Sequence, residues 1–165
     1  PFLPGPEFSA LMEYTKAKEA LAALDKEMMT KDWRDSRVKA AFLMAPAWAW
    51  LFEEESLSKI SIPTYLIAAA ADQILVTNNN AGLFARHIPR SIYQVIPGKA
   101  GHFIFISALN EKRIRSVNPS GQLNFIFEED TSIDKSWIQF QVAEEAAHFF
   151  KSVFSNSSAE SSVLP

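Results

Sequence analysis

Two residues in this sequence combine a suitable type with a suitable setting for chemistry: Asp72 and His102. Asp72 closes the apolar stretch TYLIAAAAD, and His102 stands in IPGKAGHFIF, where Pro-Gly ends one apolar run and a small-residue loop leads into another. A carboxylate that holds one imidazole nitrogen leaves the other free to take up a proton near neutral pH, which is the office of a general base. Such a base serves a hydroxyl or thiol nucleophile. Each residue also has a plainer use. An aspartate after a strand suits a turn or a helix N-cap, and a loop histidine can simply be hydrogen-bonded in place.

The nucleophile is the missing member. No Gly-x-Ser-x-Gly or Gly-x-Cys-x-Gly occurs in the 165 residues, and there is no cysteine at all, which also excludes disulfides and zinc–thiolate sites within the chain. His87, just before Ile88-Pro89, suits a helix C-terminus, and His148, beside Phe149 and Phe150, suits packing. The three histidines lack metal-ligand spacing, so neither a metal nor another cofactor is expected.

The elements that must position the pair can be read from the apolar pattern. Phe8, Leu11, Tyr14, Leu21, Leu24 and Met28 mark one face of a helix with Ser9 as a possible N-cap. Val38–Pro46 reads as a buried strand, followed by a loop or short helix carrying Trp48, Trp50 and Phe52. TYLIAAA is a second strand, and a helix over Asn79–His87 follows it, with Asn78-Asn79-Asn80 as the loop leading to its cap. SIYQVIPG is a third strand; LNFIFEED suits a short extended segment; the last helix is predicted from Asp134 to about Phe154, with Ile138, Val142, Phe149 and Val153 along one side.

Strands separated by helices pair in parallel through crossovers, giving an α/β fold of three layers, a partial parallel sheet with helices on both faces. Sites in such sheets lie beyond the carboxyl ends of the strands. Asp72 and His102 both lie there. Trp48, Trp50 and Phe52 follow a strand end on the same rim, and they can form an apolar wall for a substrate or belong to the core.

Composition narrows the classes further. A chain with 48% hydrophobic residues, including 13 Phe and 4 Trp, can bury a sizeable core as one domain. The net charge of −3, with no basic block beyond the cluster of Lys112, Arg113 and Arg115, argues against nucleic-acid binding. No apolar run is long enough to span a membrane. The reading is one α/β domain over residues 1–154 and a flexible polar tail over 155–165. The opening PFLPGPEF, without an initiator methionine, reads as a cut inside a Pro-rich loop, and a cytoplasmic and a periplasmic or secreted location suit the composition equally.

The run from VKAAFLMAPAWAWLF through ISIPTYLIAAAADQILV to IPGKAGHFIF resembles the C-terminal part of an α/β hydrolase. It is most similar to the dienelactone-hydrolase-like and platelet-activating-factor-acetylhydrolase-like branches. The carriers are Ala45-Pro46-Ala47 after a strand, Ile62-Pro63 before the next, Asp72 at its end, and Pro-Gly followed by Gly-His-Phe at Gly101-His102-Phe103. The resemblance spans roughly residues 37 to 106.

It implies that Asp72 and His102 are the acid and histidine of a catalytic triad acting on a small ester or lactone. It also implies that the nucleophile elbow and oxyanion hole belong to an N-terminal half of the fold outside these residues. That half, or a second copy of the chain, is the expected partner. Three positions depart from the family pattern: Ala69 replaces the usual glycine, Val76 stands where proline is common, and Lys99 lengthens the histidine loop by one residue. These departures motivate the alternative of a non-catalytic binding or interaction protein on the same scaffold.

Overall fold

The computed structural model describes residues 31–106 and 130–160, together with residues 23, 112, 113 and 116. The helix expected over Phe8–Met29 and nearly all of LNFIFEED lie outside the described residues. Three strands form the sheet: β1 (Ala41–Met44), β2 (Thr64–Ala69) and β3 (Ile92–Ile96). They lie side by side in chain order, and both pairings are parallel. Register sets Ala41 opposite Thr64 and Met44 opposite Ile67, then Tyr65 opposite Ile92 and Ala69 opposite Ile96.

The central strand explains the architecture. Every residue of β2 is buried, the mark of a parallel strand covered on both faces. Alternation along the strand then sorts its side chains into two layers. Tyr65, Ile67 and Ala69 join Ile96, Ile104, Val142 and Phe149 on one face. Leu66 joins Ala49, Leu57, Leu83, Phe84 and Ile88 on the other.

Helices supply both covers. The second face is closed by α1 (Glu54–Ser58) and α2 (Ala81–His87), which are short and lie within the two crossovers. The first is closed by α3 (Lys135–Glu160), whose start is fixed by Asp134: its carboxylate accepts the Trp137 N–H at 2.9 Å and its carbonyl the Ile138 N–H at 3.1 Å. Val142 and Phe149 are buried against the sheet, and Ile138 and Val153 flank them, as the apolar spacing requires. Rings knit this layer, with Phe42 stacked on Tyr65 at 4.7 Å and Phe149 edge-on to Tyr65 at 5.6 Å.

The strand expected to be buried over Val38–Pro46 is only half-buried, with Met44 exposed at its end, and element boundaries differ from the sequence reading as well. β1 begins at Ala41 rather than Val38, because Val38 N–H closes a turn on the Asp35 carbonyl at 3.0 Å. The expected helix from Asn79 is a 3₁₀ turn over Thr77–Asn79 followed by α2. The last helix continues past Phe154 to Glu160, into the segment expected to be a flexible tail. Serine and asparagine cost only tenths of a kcal/mol per residue in a helix already propagating, so they do not force a stop. Among the described residues, no helix is long and apolar enough to cross a membrane.

Candidate acid–base site at the carboxyl rim of the sheet

Backbone pairing carries the chain from β2 to the site. Beyond Ala69, the Ala70 N–H reaches the Ile96 carbonyl at 2.9 Å and the Ala71 N–H reaches that of Ala100 at 3.2 Å. The exits of β2 and β3 are thereby tied together before either functional side chain is reached. Asp72 follows at once. Its Oδ1 accepts the backbone N–H groups of Ile74 at 2.9 Å and Leu75 at 2.7 Å, closing a tight turn. Its Oδ2 lies 2.8 Å from His102 Nδ1. The turn-forming use of this aspartate and its histidine-orienting use are therefore both realised, by different oxygens.

Burial makes the contact count. The Asp72 side chain is 1% exposed and that of His102 22% exposed, so the pair is shielded from bulk solvent while the ring keeps an outlet. Because a carboxylate only accepts, this contact favours the tautomer with its proton on Nδ1, which leaves Nε2 as the acceptor of a neutral ring. In the described structure this is the geometry of an oriented general base.

The histidine loop reaches this position despite its extra residue. Gly98 turns the chain at φ 82°, a left-handed conformation that suits glycine. Lys99 points outward, its ammonium 3.0 Å from Asp130 Oδ2. Hydrogen bonds from the Ser132 hydroxyl and backbone N–H, with Lys99 adding to them, hold the Asp130 carboxyl down at about 2. Ala100 and Ile104 are fully buried and anchor the loop on either side of His102, which opens a 3₁₀ turn to Phe105. The Phe103 ring stands edge-on to the imidazole, with centroids 4.9 Å apart. Gln139 of α3 donates to the carbonyls of Ile104 at 2.8 Å and Ile106 at 2.7 Å, which ties the last helix to the histidine turn. The lengthened loop thus leaves the ring within hydrogen-bond reach of Asp72.

The three aromatic residues after β1 part company. Trp50 packs against the cluster of Leu57, Leu66 and Leu83 under α1 and α2. Phe52 leans on Phe84 with ring centroids 5.6 Å apart. Phe52 and Trp48 are both exposed, at 52% and 41%, and Trp48 differs in its backbone, which takes left-handed angles, φ 60° and ψ 34°. Ala45, three residues before it, is also left-handed at φ 43°. Two such non-glycine residues cost on the order of 1–3 kcal/mol each and persist only where the surroundings hold them.

Asn80 does much of the holding, and sequence reasoning missed it. Read locally, Asn78-Asn79-Asn80 is a cap or a turn. In the structure Asn80 is 1% exposed, its Oδ1 accepts the Trp48 N–H at 2.8 Å, and its Nδ2 donates to the Val76 carbonyl at 3.3 Å. Thr77 supports the same segment by donating its hydroxyl to the Ala69 carbonyl at 3.0 Å. His87 sits in the last turn of α2, 3.6 Å from Glu54, away from the rim. No group of three or more metal-ligating side chains gathers among the described residues.

Compared with known proteins, the sequence matches no family model and no curated protein.

Proposed function

We propose that this chain contributes the acid and the general base of a serine carboxylic-ester hydrolase, with Asp72 orienting His102. The observation that carries the reading is the buried contact from Asp72 Oδ2 to His102 Nδ1, with Asp72 Oδ1 pinned by two backbone N–H groups. A carboxylate fixed at both oxygens cannot rotate away from the ring, and an imidazole held at Nδ1 delivers Nε2 in one direction. In acyl transfer, Nε2 would take the proton of a serine hydroxyl as that oxygen attacks the ester carbonyl, and return it to the leaving alcohol. The serine and the oxyanion donors would come from outside these 165 residues, and the substrate would be a small ester or lactone.

The test is fluorophosphonate labelling of the natural gene product, with any adduct located by peptide mass spectrometry. The expected result is an adduct on a serine in a Gly-x-Ser-x-Gly stretch, lost when His102→Ala is introduced. A folded product that takes no label refutes the reading.

A second reading, binding without catalysis, is favoured by one observation. A largely apolar cleft of about 400 Å³ lies between β1 and α3, lined by Phe42, Met44, Phe105, Val142 and Phe150 among others, and neither Asp72 nor His102 belongs to it. Under this reading the protein takes up apolar ligands yet ignores the fluorophosphonate.

A further inference from the structure

Hydrogen bonds join the three strand exits into one rim. From His102 the path runs to Asp72, through Asp72 Oδ1 to the N–H groups of Ile74 and Leu75, and along the chain to Val76. The Val76 carbonyl meets Asn80 Nδ2, and Asn80 Oδ1 meets the Trp48 N–H beyond β1. Strand exits in a sheet are about 4.8 Å apart, so the loops after β1 and β3 stand roughly 10 Å from each other across that of β2. A small ester spans such a distance.

The conformation of Trp48 calls for a reason. A bulky side chain is disfavoured at φ 60°, so the backbone at Trp48 needs an external hold. Here a buried amide holds its backbone in the left-handed region while its side chain remains partly open to solvent. Its neighbour Ala49 is fully buried, so the loop is anchored immediately beside the exposed ring. Strain of this kind concentrates where a side chain must be presented in a fixed pose.

We propose that Trp48 is the aromatic platform for the flat apolar group of an aryl or similarly planar ester, and that Asn80 is the positioning residue that sets its pose. The proposal rests on the hydrolase reading for the word ester, but its test requires no chemistry. An indole face recognises planar apolar groups by stacking, and a prefixed platform loses little freedom on binding. Asn80 reaches the ligand through the Trp48 backbone, to which its Oδ1 is bonded.

The probe is acetanilide, an inert amide counterpart of phenyl acetate, with acetamide as the control lacking a ring. Nitrogen–proton correlation spectra of the tryptophan-labelled natural gene product are recorded during titration, and the Trp48 indole signal is assigned by its loss in Trp48→Phe. The expected result is a saturable shift of that signal with acetanilide and none with acetamide. Trp48→Leu, which leaves the backbone bond to Asn80 in place, weakens acetanilide binding at least tenfold. In Asn80→Ala the Trp48 carbon shifts lose their left-handed signature, and affinity falls by a similar factor while the Asp72–His102 proton signal persists.

Absence of a saturable Trp48 shift overturns the proposal, as does wild-type affinity in Trp48→Leu. Wild-type affinity in Asn80→Ala overturns the positioning role. Should Asn80→Ala not fold, Trp48→Leu decides alone on the platform, and the Trp48 carbon shifts of the wild-type protein decide on the held left-handed backbone. The hydrolase reading stands or falls separately, on the fluorophosphonate adduct.

Discussion

At the scale of the residue, Asp72 shows how one side chain can close a turn and orient a ring together. Because Oδ1 closes the turn and Oδ2 faces the ring, the two roles separate by substitution. Asp72→Asn keeps an acceptor for the Ile74 and Leu75 N–H groups, so its melting temperature should stay close to wild type. Asp72→Ala leaves both N–H groups without that acceptor and should cost about 1–3 kcal/mol in a denaturant titration. In the Asp72→Asn variant the amide can no longer demand a proton at Nδ1, so the imidazole tautomer shifts, which nitrogen chemical shifts of His102 report. On the proposed hydrolase reading, ester hydrolysis by the natural gene product should then fall by about four orders of magnitude. Equal activity in Asp72→Asn and wild type would show that the carboxylate does not orient a catalytic base.

At the scale of the element, the sheet and α3 form the layer on which the histidine turn rests. Phe149 is buried against Phe42 and Tyr65, so Phe149→Ala should cost about 3–5 kcal/mol, lowering the melting temperature by roughly 10 °C. Tyr65 reaches across this layer, its hydroxyl within hydrogen-bond reach of the Gln94 side chain and, at 3.3 Å, of the Glu145 carboxylate. Burial first, and the Glu145 charge and hydrogen bond next, raise the Tyr65 phenol above its usual 10.0. A raised folded-state value means that this contribution is complete below the unfolded value near pH 10 and disappears as pH climbs through the folded one. Stability should therefore fall steeply above pH 10, and Tyr65→Phe should flatten that alkaline limb in thermal melts.

Much of this level was legible in the sequence. VKAAFLMAP, TYLIAAA and SIYQVIPG read as short strands, of which only the central one is buried throughout, and Asp72 and His102 had to share a rim because both follow strand ends. Asn80 was opaque, since its partner is the N–H of Trp48, 32 residues away, and nothing in an asparagine run signals a long-range bond. The packing of Trp50 with Leu66 and Leu83, and of Phe52 with Phe84, was equally hidden, because these contacts join residues distant in sequence.

At the scale of the whole molecule, the sheet leaves much to be covered. Among the described residues β1 and β3 each have β2 as their one strand neighbour, and Met44, Ile92, Trp137, Phe140 and Phe154 stand substantially exposed. Parallel sheets with open edges and broad apolar surface seek partners. The isolated chain should self-associate at micromolar concentration and brighten a hydrophobic dye, as multi-angle light scattering and fluorescence can establish. A monodisperse, dye-negative monomer would overturn that expectation.

The two faces of the sheet also differ in when they can be closed during synthesis. One is covered by α1 and α2, which emerge from the ribosome between the strands they protect. The other waits for α3, which follows β3 only after a further stretch of chain. Among the described residues, a nascent chain therefore passes through an interval in which Tyr65, Ile67 and Ile96 are gathered on the three strands before α3 has emerged to cover them. That interval is where a ribosome-associated chaperone would find its substrate, and its length is set by translation speed.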